Sequence, residues 1–273
     1  MTTTQMHRFD ADTVVAPLGE GRWSARLDAG WSSIGGVPNG GYTLAVALAA
    51  TSQELPGSEP LSASVHYVKP AAPGPAEVEV EVIKRGRLKS TVSARLTQDG
   101  SERLRVLASY GDRAALGWPA EFSPQPPPIP GPDGCLAPPV AAGAEATIAE
   151  RFEYRVTPQT RWVTGATSGA ASGPARIEGW IRFADGREPD TAALPLFVDA
   201  FPPSVYEVID AALVPTLDLS VHLRRRPAPG WLQARFTARV LAGGMVEEDG
   251  ELWDAGGRLV AMSRQLALVL PFG

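Results

Sequence analysis

One repeat constrains this chain more than any other feature: the two halves carry the same pattern. Ser64-Val65-His66 returns as Ser220-Val221-His222, 156 positions later. The register holds on both sides of that match. Gly74 falls on Gly230, Val78 and Val80 fall on Ala234 and Phe236, and Gly100 falls on Gly256. Lys69-Pro70 and Arg226-Pro227 correspond with a slip of one residue.

Within the repeat the pattern is that of a half-buried sheet. Glu77 to Val82 alternates glutamate and valine strictly, which gives one wet face and one buried face. Leu232, Ala234, Phe236, Ala238 and Val240 alternate with Gln233, Arg235, Thr237 and Arg239 in the same parity. Asp99-Gly100 and Ala255-Gly256-Gly257 supply hairpin turns. Trp23–Trp31 and Ala175–Phe183 are strand-like runs placed ahead of each set. Gly41–Ser52 is apolar almost all round, which predicts a buried helix rather than a surface one. Each half therefore reads as two short strands, one helix, then three or four long antiparallel strands. Such a half is an α+β layout with a sheet curled around a central helix. Between the halves, Trp118–Pro139 carries nine prolines, which forbid helix and favour extended polyproline structure. The expected division is an N-terminal repeat over residues 1–116, a Pro-rich linker over 117–148 and a C-terminal repeat over 149–273.

Composition excludes several function classes. A formal net charge of −5, from 25 basic and 30 acidic residues, argues against a nucleic-acid partner. The single Cys135 rules out an intramolecular disulfide and a Cys-rich metal site. His7, His66 and His222 are far apart in sequence, so no His-based metal site is expected. The N-terminal MTTTQMHRFD lacks the pattern of a signal peptide, and the longest apolar run, near Leu44–Ala50, is short of a membrane span. The expectation is a cytoplasmic protein without metal or bound cofactor. Exposed sheet edges leave room for a homodimer. No G-x-S-x-G, dinucleotide fingerprint or Walker motif is present.

Five segments in order carry a family resemblance: GGVPNGGYTLAVALAA, SVHYVKP, LPLFVDAFPPSV, PTLDLSVHLRRRP and DAGGRLVAMSRQ. Over nearly the whole chain outside the linker, the sequence resembles the acyl-CoA thioesterase II (TesB-type) proteins of the thioesterase-like superfamily. The resemblance implies a double hotdog, two tandem repeats that each wrap an antiparallel sheet around a central helix. It also implies hydrolysis of a fatty acyl-CoA, with coenzyme A entering only as part of the substrate. The family's catalytic set is an Asp on the second hotdog helix, a Thr opening the next strand and a Gln on the last strand. Asp199 in LFVDAF, Thr216 in VPTLDLS and Gln265 in MSRQLAL match these positions. The corresponding points of the first half, near Asn39–Thr43 and Ser109, hold no acid.

These residue types suit thioester hydrolysis. A carboxylate in an apolar setting has a raised pKa and can take a proton from water. An amide does not titrate, so Gln265 can only orient the water or support the carboxylate, and Thr216 can do the same through its hydroxyl. A threonine nucleophile would need its own base, so direct attack by water is favoured over an acyl-enzyme. The Asn39-Gly40-Gly41 helix start offers free N–H groups, and family geometry implies that Gly41 N–H, with Gly40, polarises the thioester carbonyl. Pro202-Pro203 should break the helix after Asp199 and free the carbonyls of Val198 and Asp199 for a water.

Each assignment has a plainer counterpart. Asp199 could cap a helix restarting at Ala200. Thr216 could simply favour a strand, Gln265 could be a satisfied buried amide, and the glycines could serve close packing of the two helices. Arg87, Arg224 and Arg225, within two basic clusters, are candidates for the coenzyme A phosphates or else a solvated face. His66 and His222 recur at equivalent strand positions, which suggests a shared role at the sheet. Two other functions stay open. One is a non-catalytic acyl-CoA or lipid-binding module. The other is an enoyl-CoA hydratase or dehydratase, against which the absence of a helical histidine counts. A long pocket between the halves is expected under all three.

Overall fold

The computed structural model describes residues 6–117, 121–139, 147–165, 175–210 and 212–271. A short helix, α1 (Arg8–Asp12), precedes two short strands, β1 (Ala16–Gly19) and β2 (Arg22–Leu27). The long helix α2 (Gly40–Glu54) follows. Four strands come next: β3 (Glu59–Tyr67), β4 (Gly74–Lys84), β5 (Ser90–Gln98) and β6 (Ser101–Gly111). Beyond the Pro-rich segment lie β7 (Phe152–Val156), the short helix α3 (Arg161–Thr164), β8 (Ala175–Phe183) and the short helix α4 (Leu194–Phe197). The chain ends in β9 (Thr216–Leu223), β10 (Leu232–Ala242), β11 (Met245–Trp253) and β12 (Leu259–Leu268).

All twelve strands form one antiparallel sheet in the order β1-β2-β4-β5-β6-β3-β9-β12-β11-β10-β8-β7. Counted outward from the β3–β9 seam, the order on one side matches that on the other. The seam pairs Ala63 with Val221, Ser64 with Ser220 and Val65 with Leu219. The two serines that head the repeated tripeptide therefore meet across it, with their hydroxyls 3.1 Å apart. Asp99 and Gly100 sit at φ 50° and 70°, the double left-handed geometry that lets β5 turn directly into β6.

The helix α2 is enclosed as its composition requires. Tyr42, Leu44, Val46, Ala47, Leu48, Ala50 and Thr51 are all buried in the main core. Each of the larger aliphatic side chains contributes roughly 1.5–3 kcal/mol by leaving water. The helix packs on β2, β3, β4 and β5 and against α4.

The second half departs from the first at its helix. Where α2 runs fifteen residues, α4 has four. It stops ahead of Pro202-Pro203, and a single 3-10 turn takes up the chain at Ser204–Glu207. No helix restarts at Ala200, so Asp199 caps no helix of its own. Its carbonyl is indeed released from helical bonding, but a side chain fills the vacancy: Asn39 Nδ2 donates to it at 2.8 Å.

The described part of the Pro-rich segment, 121–139, has no α-helix or named strand and forms one 3-10 turn at Pro132–Gly134. It is laid on the second half rather than hanging free. Trp253 Nε1 donates to the Pro124 carbonyl, Gln233 Nε2 to Pro127 and Trp180 Nε1 to Pro130. Proline-rich chain suits this role, because it offers carbonyl acceptors while lacking most of the N–H donors that would need partners.

Candidate active site

The site lies where the start of α2 meets the end of α4. Asn39 caps α2, its Oδ1 accepting from Tyr42 N–H at 3.0 Å. The preceding donor, Gly41 N–H, crosses to Asp199 Oδ2 at 2.7 Å. Asn39 Nδ2 donates to the same carboxylate oxygen at 2.9 Å. Among the described residues, Gly40 N–H has no acceptor and Asp199 Oδ1 has no donor. Oδ1 retains contact with solvent, since it is absent from the buried unpartnered atoms. One edge of the carboxylate is thus fixed and the other is open.

Electrostatics favour a proton on this carboxylate at moderate pH. Burial pushes Asp199 up to about 7, against the opposing Gly41 N–H and Asn39 amide, and the nearby Glu248 charge adds to the rise. The residue is half-buried, and its open edge does not offset the loss of water around the rest.

Both glycines of the helix start are dictated by what surrounds them. A Cβ on Gly41 would stand 2.5 Å from the Pro195 carbonyl oxygen and 2.9 Å from Asp199 Cβ. Only glycine lets α2 and α4 approach this closely. A Cβ on Gly40 would lie 2.8 Å from Tyr67 Oη and 3.0 Å from Asp199 Oδ2. Tyr67, the last residue of β3, therefore faces the same space as the carboxylate. Its hydroxyl is buried without a partner. Burial, and secondly the Asp199 charge, raise its pKa well above 10, so the proton stays on Oη.

The other two predicted residues are brought together, with a third that sequence reading missed. Thr216 Oγ1 donates to Gln265 Oε1 at 3.1 Å, and Gln265 Nε2 donates to Glu248 Oε1 at 2.8 Å. Glu248 Oε2 accepts from Ser204 N–H. Glu248 stands directly opposite Gln265 on adjacent strands and is only 7% exposed. Burial raises its pKa, against the Ser204 and Gln265 hydrogen bonds. No hydrogen bond among the described residues joins Asp199 to Thr216 or Gln265; the Glu248 charge is the link.

Strand parity was the available signal for Glu248 and gave none for Tyr67. Val246, Glu248, Gly250 and Leu252 share the inward face of β11, so a glutamate there breaks an apolar row. Tyr67 continues the inward row of Ala63 and Val65, where an aromatic residue reads as ordinary core. The companion histidines point the other way: His66 and His222 are exposed on the outer face.

One expectation needs correction, and the three arginines find their places. Gly41 N–H is not free for a carbonyl, because Asp199 already accepts it. Arg224 and Arg225 follow β9 at the end opposite Thr216, which at strand spacing puts them about 26–30 Å away. Arg225 is also paired with Glu121, and Arg87 sits in the exposed turn between β4 and β5. Two cavities are lined by described residues, the second of them between the halves. One of about 350 Å³ is bordered by Asp12, Arg26 and Asp28, and one of about 220 Å³ by Trp31, Arg151 and Phe183. Among the described residues no helix is long and apolar enough to cross a membrane.

Comparison with known proteins gives this arrangement relatives. The chain matches the acyl-CoA thioesterase N-terminal domain over residues 27–111 and the acyl-CoA thioesterase C-terminal domain over residues 132–269. A crystal structure of a thioesterase II candidate from Thermobifida fusca is 34% identical. It covers 97% of this chain and 98% of its own, with a TM-score of 0.86. A protein with the hot dog fold from Alicyclobacillus acidocaldarius is 23% identical, with coverage of 98% and 100% and a TM-score of 0.84. The thioesterase-like protein TwmA of Talaromyces wortmannii is 26% identical over 96% of this chain and 92% of its own length.

Proposed function

Because this chain belongs to the acyl-CoA thioesterase family and has its hotdog fold, we propose that it hydrolyses a fatty acyl-CoA by direct attack of water, with Asp199 as general base. The observation that carries this reading is the Asp199 carboxylate: anchored at Oδ2, open at Oδ1 and raised to about 7. A base is most effective with a pKa near the working pH.

In this mechanism Asp199 Oδ1 takes a proton from water while the water oxygen bonds to the thioester carbon. The carbonyl pair moves onto oxygen, beside Gly40 N–H, the one donor of the helix start left unpaired among the described residues. The C–S bond then breaks, and the proton on Asp199 passes to the departing sulfur. Thr216 and Gln265 hold the water through the second amide hydrogen of Gln265, whose first is taken by Glu248. A threonine nucleophile is disfavoured because the Thr216 hydroxyl donates to an amide oxygen, which is no base. No resident cofactor or metal enters this scheme.

We also read the chain as two tandem hotdog repeats, residues 1–116 and 149–273. Supporting this are the matched strand order about the β3–β9 seam and the meeting of Ser64 with Ser220. The first half lacks an acid at the position equivalent to Asp199, so one site per chain is proposed.

The test is thiol release from acyl-CoAs of short to long chain, for the wild type and Asp199→Asn. A loss of about 10²-fold or more in the folded variant supports hydrolysis with Asp199 as base. Equal turnover removes Asp199 from the chemistry, and saturable binding without turnover favours the non-catalytic acyl-CoA-binding module.

A further inference from the structure

We propose that the Tyr67 hydroxyl binds the thioester carbonyl oxygen and, with Gly40 N–H, forms the oxyanion hole of this site. The inference rests on the thioesterase reading above and adds a catalytic residue to it.

Three observations converge on Tyr67. Its hydroxyl is buried without a hydrogen-bond partner. A polar atom so placed costs free energy, whereas phenylalanine would fill the same inward position at the end of β3 without that cost. Second, the hydroxyl stands at the site, packed against the start of α2. It lies 2.8 Å from the point where a side chain on Gly40 would begin, and Asp199 Oδ2 lies 3.0 Å from that same point. A side chain there would collide with both, so glycine lets the hydroxyl and the carboxylate crowd against the helix start. Third, the remaining polar groups around it are already committed. Gly41 N–H and Asn39 Nδ2 serve Asp199, and Asn39 Oδ1 serves Tyr42. Tyr67 O–H and Gly40 N–H are the donors left over.

Two unpaired donors beside a carboxylate suit a carbonyl that gains negative charge during attack. The carboxylate draws the proton of water while the two donors meet the charge that develops on the far atom of the carbonyl. Tyr67 keeps its proton throughout, because it donates a hydrogen bond and transfers nothing. As the carbonyl pair returns, the C–S bond breaks and the proton held by Asp199 goes to sulfur. A buried, neutral phenol beside an anion is suited to this, since its proton is held tightly.

The experiment compares wild type, Tyr67→Phe and Asp199→Asn with the acyl-CoA that the wild type turns over fastest. It follows kcat, KM, the pH profile and thermal stability. Tyr67→Phe is expected to lower kcat by about 10²-fold, to raise KM by no more than the roughly tenfold lost by a ketone analogue, to fold at least as stably, and to leave the acid limb of the profile where it is. A kcat within threefold of wild type overturns the proposal. So does a displaced acid limb, which would mean that Tyr67 acts through Asp199. Binding of two unreactive analogues supplies the second readout: a ketone with CH₂ in place of sulfur, and a thioether without the carbonyl. Tyr67→Phe should weaken the ketone about tenfold and leave the thioether unchanged. A wild type that turns over nothing defeats the hydrolase reading. The analogue pair still decides on Tyr67 in that case, because equal affinities for both would refute the carbonyl contact.

Discussion

Replacing Asp199 with asparagine should make the protein slower and, above neutral pH, more stable. Asparagine has the same shape, and its amide oxygen can accept the Gly41 and Asn39 hydrogen bonds that Oδ2 accepts now. What it removes is an ionisation. An ordinary aspartate ionises near 3.8, whereas the folded Asp199 ionises near 7. The unfolded chain loses its proton first, so this group's contribution to stability is complete below about pH 4. It is lost as pH rises through 7. At about 1.4 kcal/mol per pH unit, the interval from 3.8 to 7 sets a ceiling of about 4 kcal/mol. For a chain of this size that is roughly 8 °C in Tm. The assay is thermal denaturation of wild type and variant from pH 4 to pH 9. Glu248 and the exposed carboxyls titrate in both proteins, so the difference between the curves isolates Asp199. Wild type should fall below the variant progressively between pH 4 and pH 8 and run parallel to it above. Curves that stay parallel across the whole range would refute the raised carboxyl and, with it, the argument for Asp199 as a base tuned to neutral pH.

Other outcomes follow from the same geometry. Glu248→Gln should move the acid limb of kcat/KM to lower pH, because the Glu248 charge helps to raise Asp199; an unmoved limb would show that Glu248 carries no charge in the folded state. The same variant places an NH₂ against a donor, either Gln265 Nε2 or Ser204 N–H, and should cost about 1–3 kcal/mol in chemical denaturation. Gly41→Ala sets a methyl 2.5 Å from the backbone oxygen of Pro195, which cannot swing aside. It should destabilise by about 1–3 kcal/mol and misplace Asp199; a variant as stable and active as wild type would mean the α2–α4 contact is loose. Thr51→Val leaves the buried Tyr110 hydroxyl without its 2.6 Å partner and should cost about 1 kcal/mol or more while sparing kcat, since both residues lie outside the site.

What the sequence determined by itself was everything carried by periodicity. Valine–glutamate alternation from Glu77 to Val82 oriented β4, the uniformly apolar run after Gly41 announced a buried helix, and the doubled Ser-Val-His fixed where the halves correspond. Such features are local, because a strand or helix sorts its own side chains before any partner arrives. Asp199, Thr216 and Gln265 were legible for another reason, their place in recognisable segments. Only the tertiary structure decided the contacts between elements far apart in the chain. Gly41 N–H and Asp199 are separated by 158 residues, and nothing near either one says that they share a proton donor and an acceptor. The claim of Asp199 on Gly41 left Gly40 as the open donor. The same long-range packing turned Tyr67 from a core aromatic into a buried hydroxyl facing a carboxylate, and made Glu248 the partner of Gln265 across two strands. Propensity acts along the chain, but burial and charge act through space, and the chemistry of this site depends on the latter.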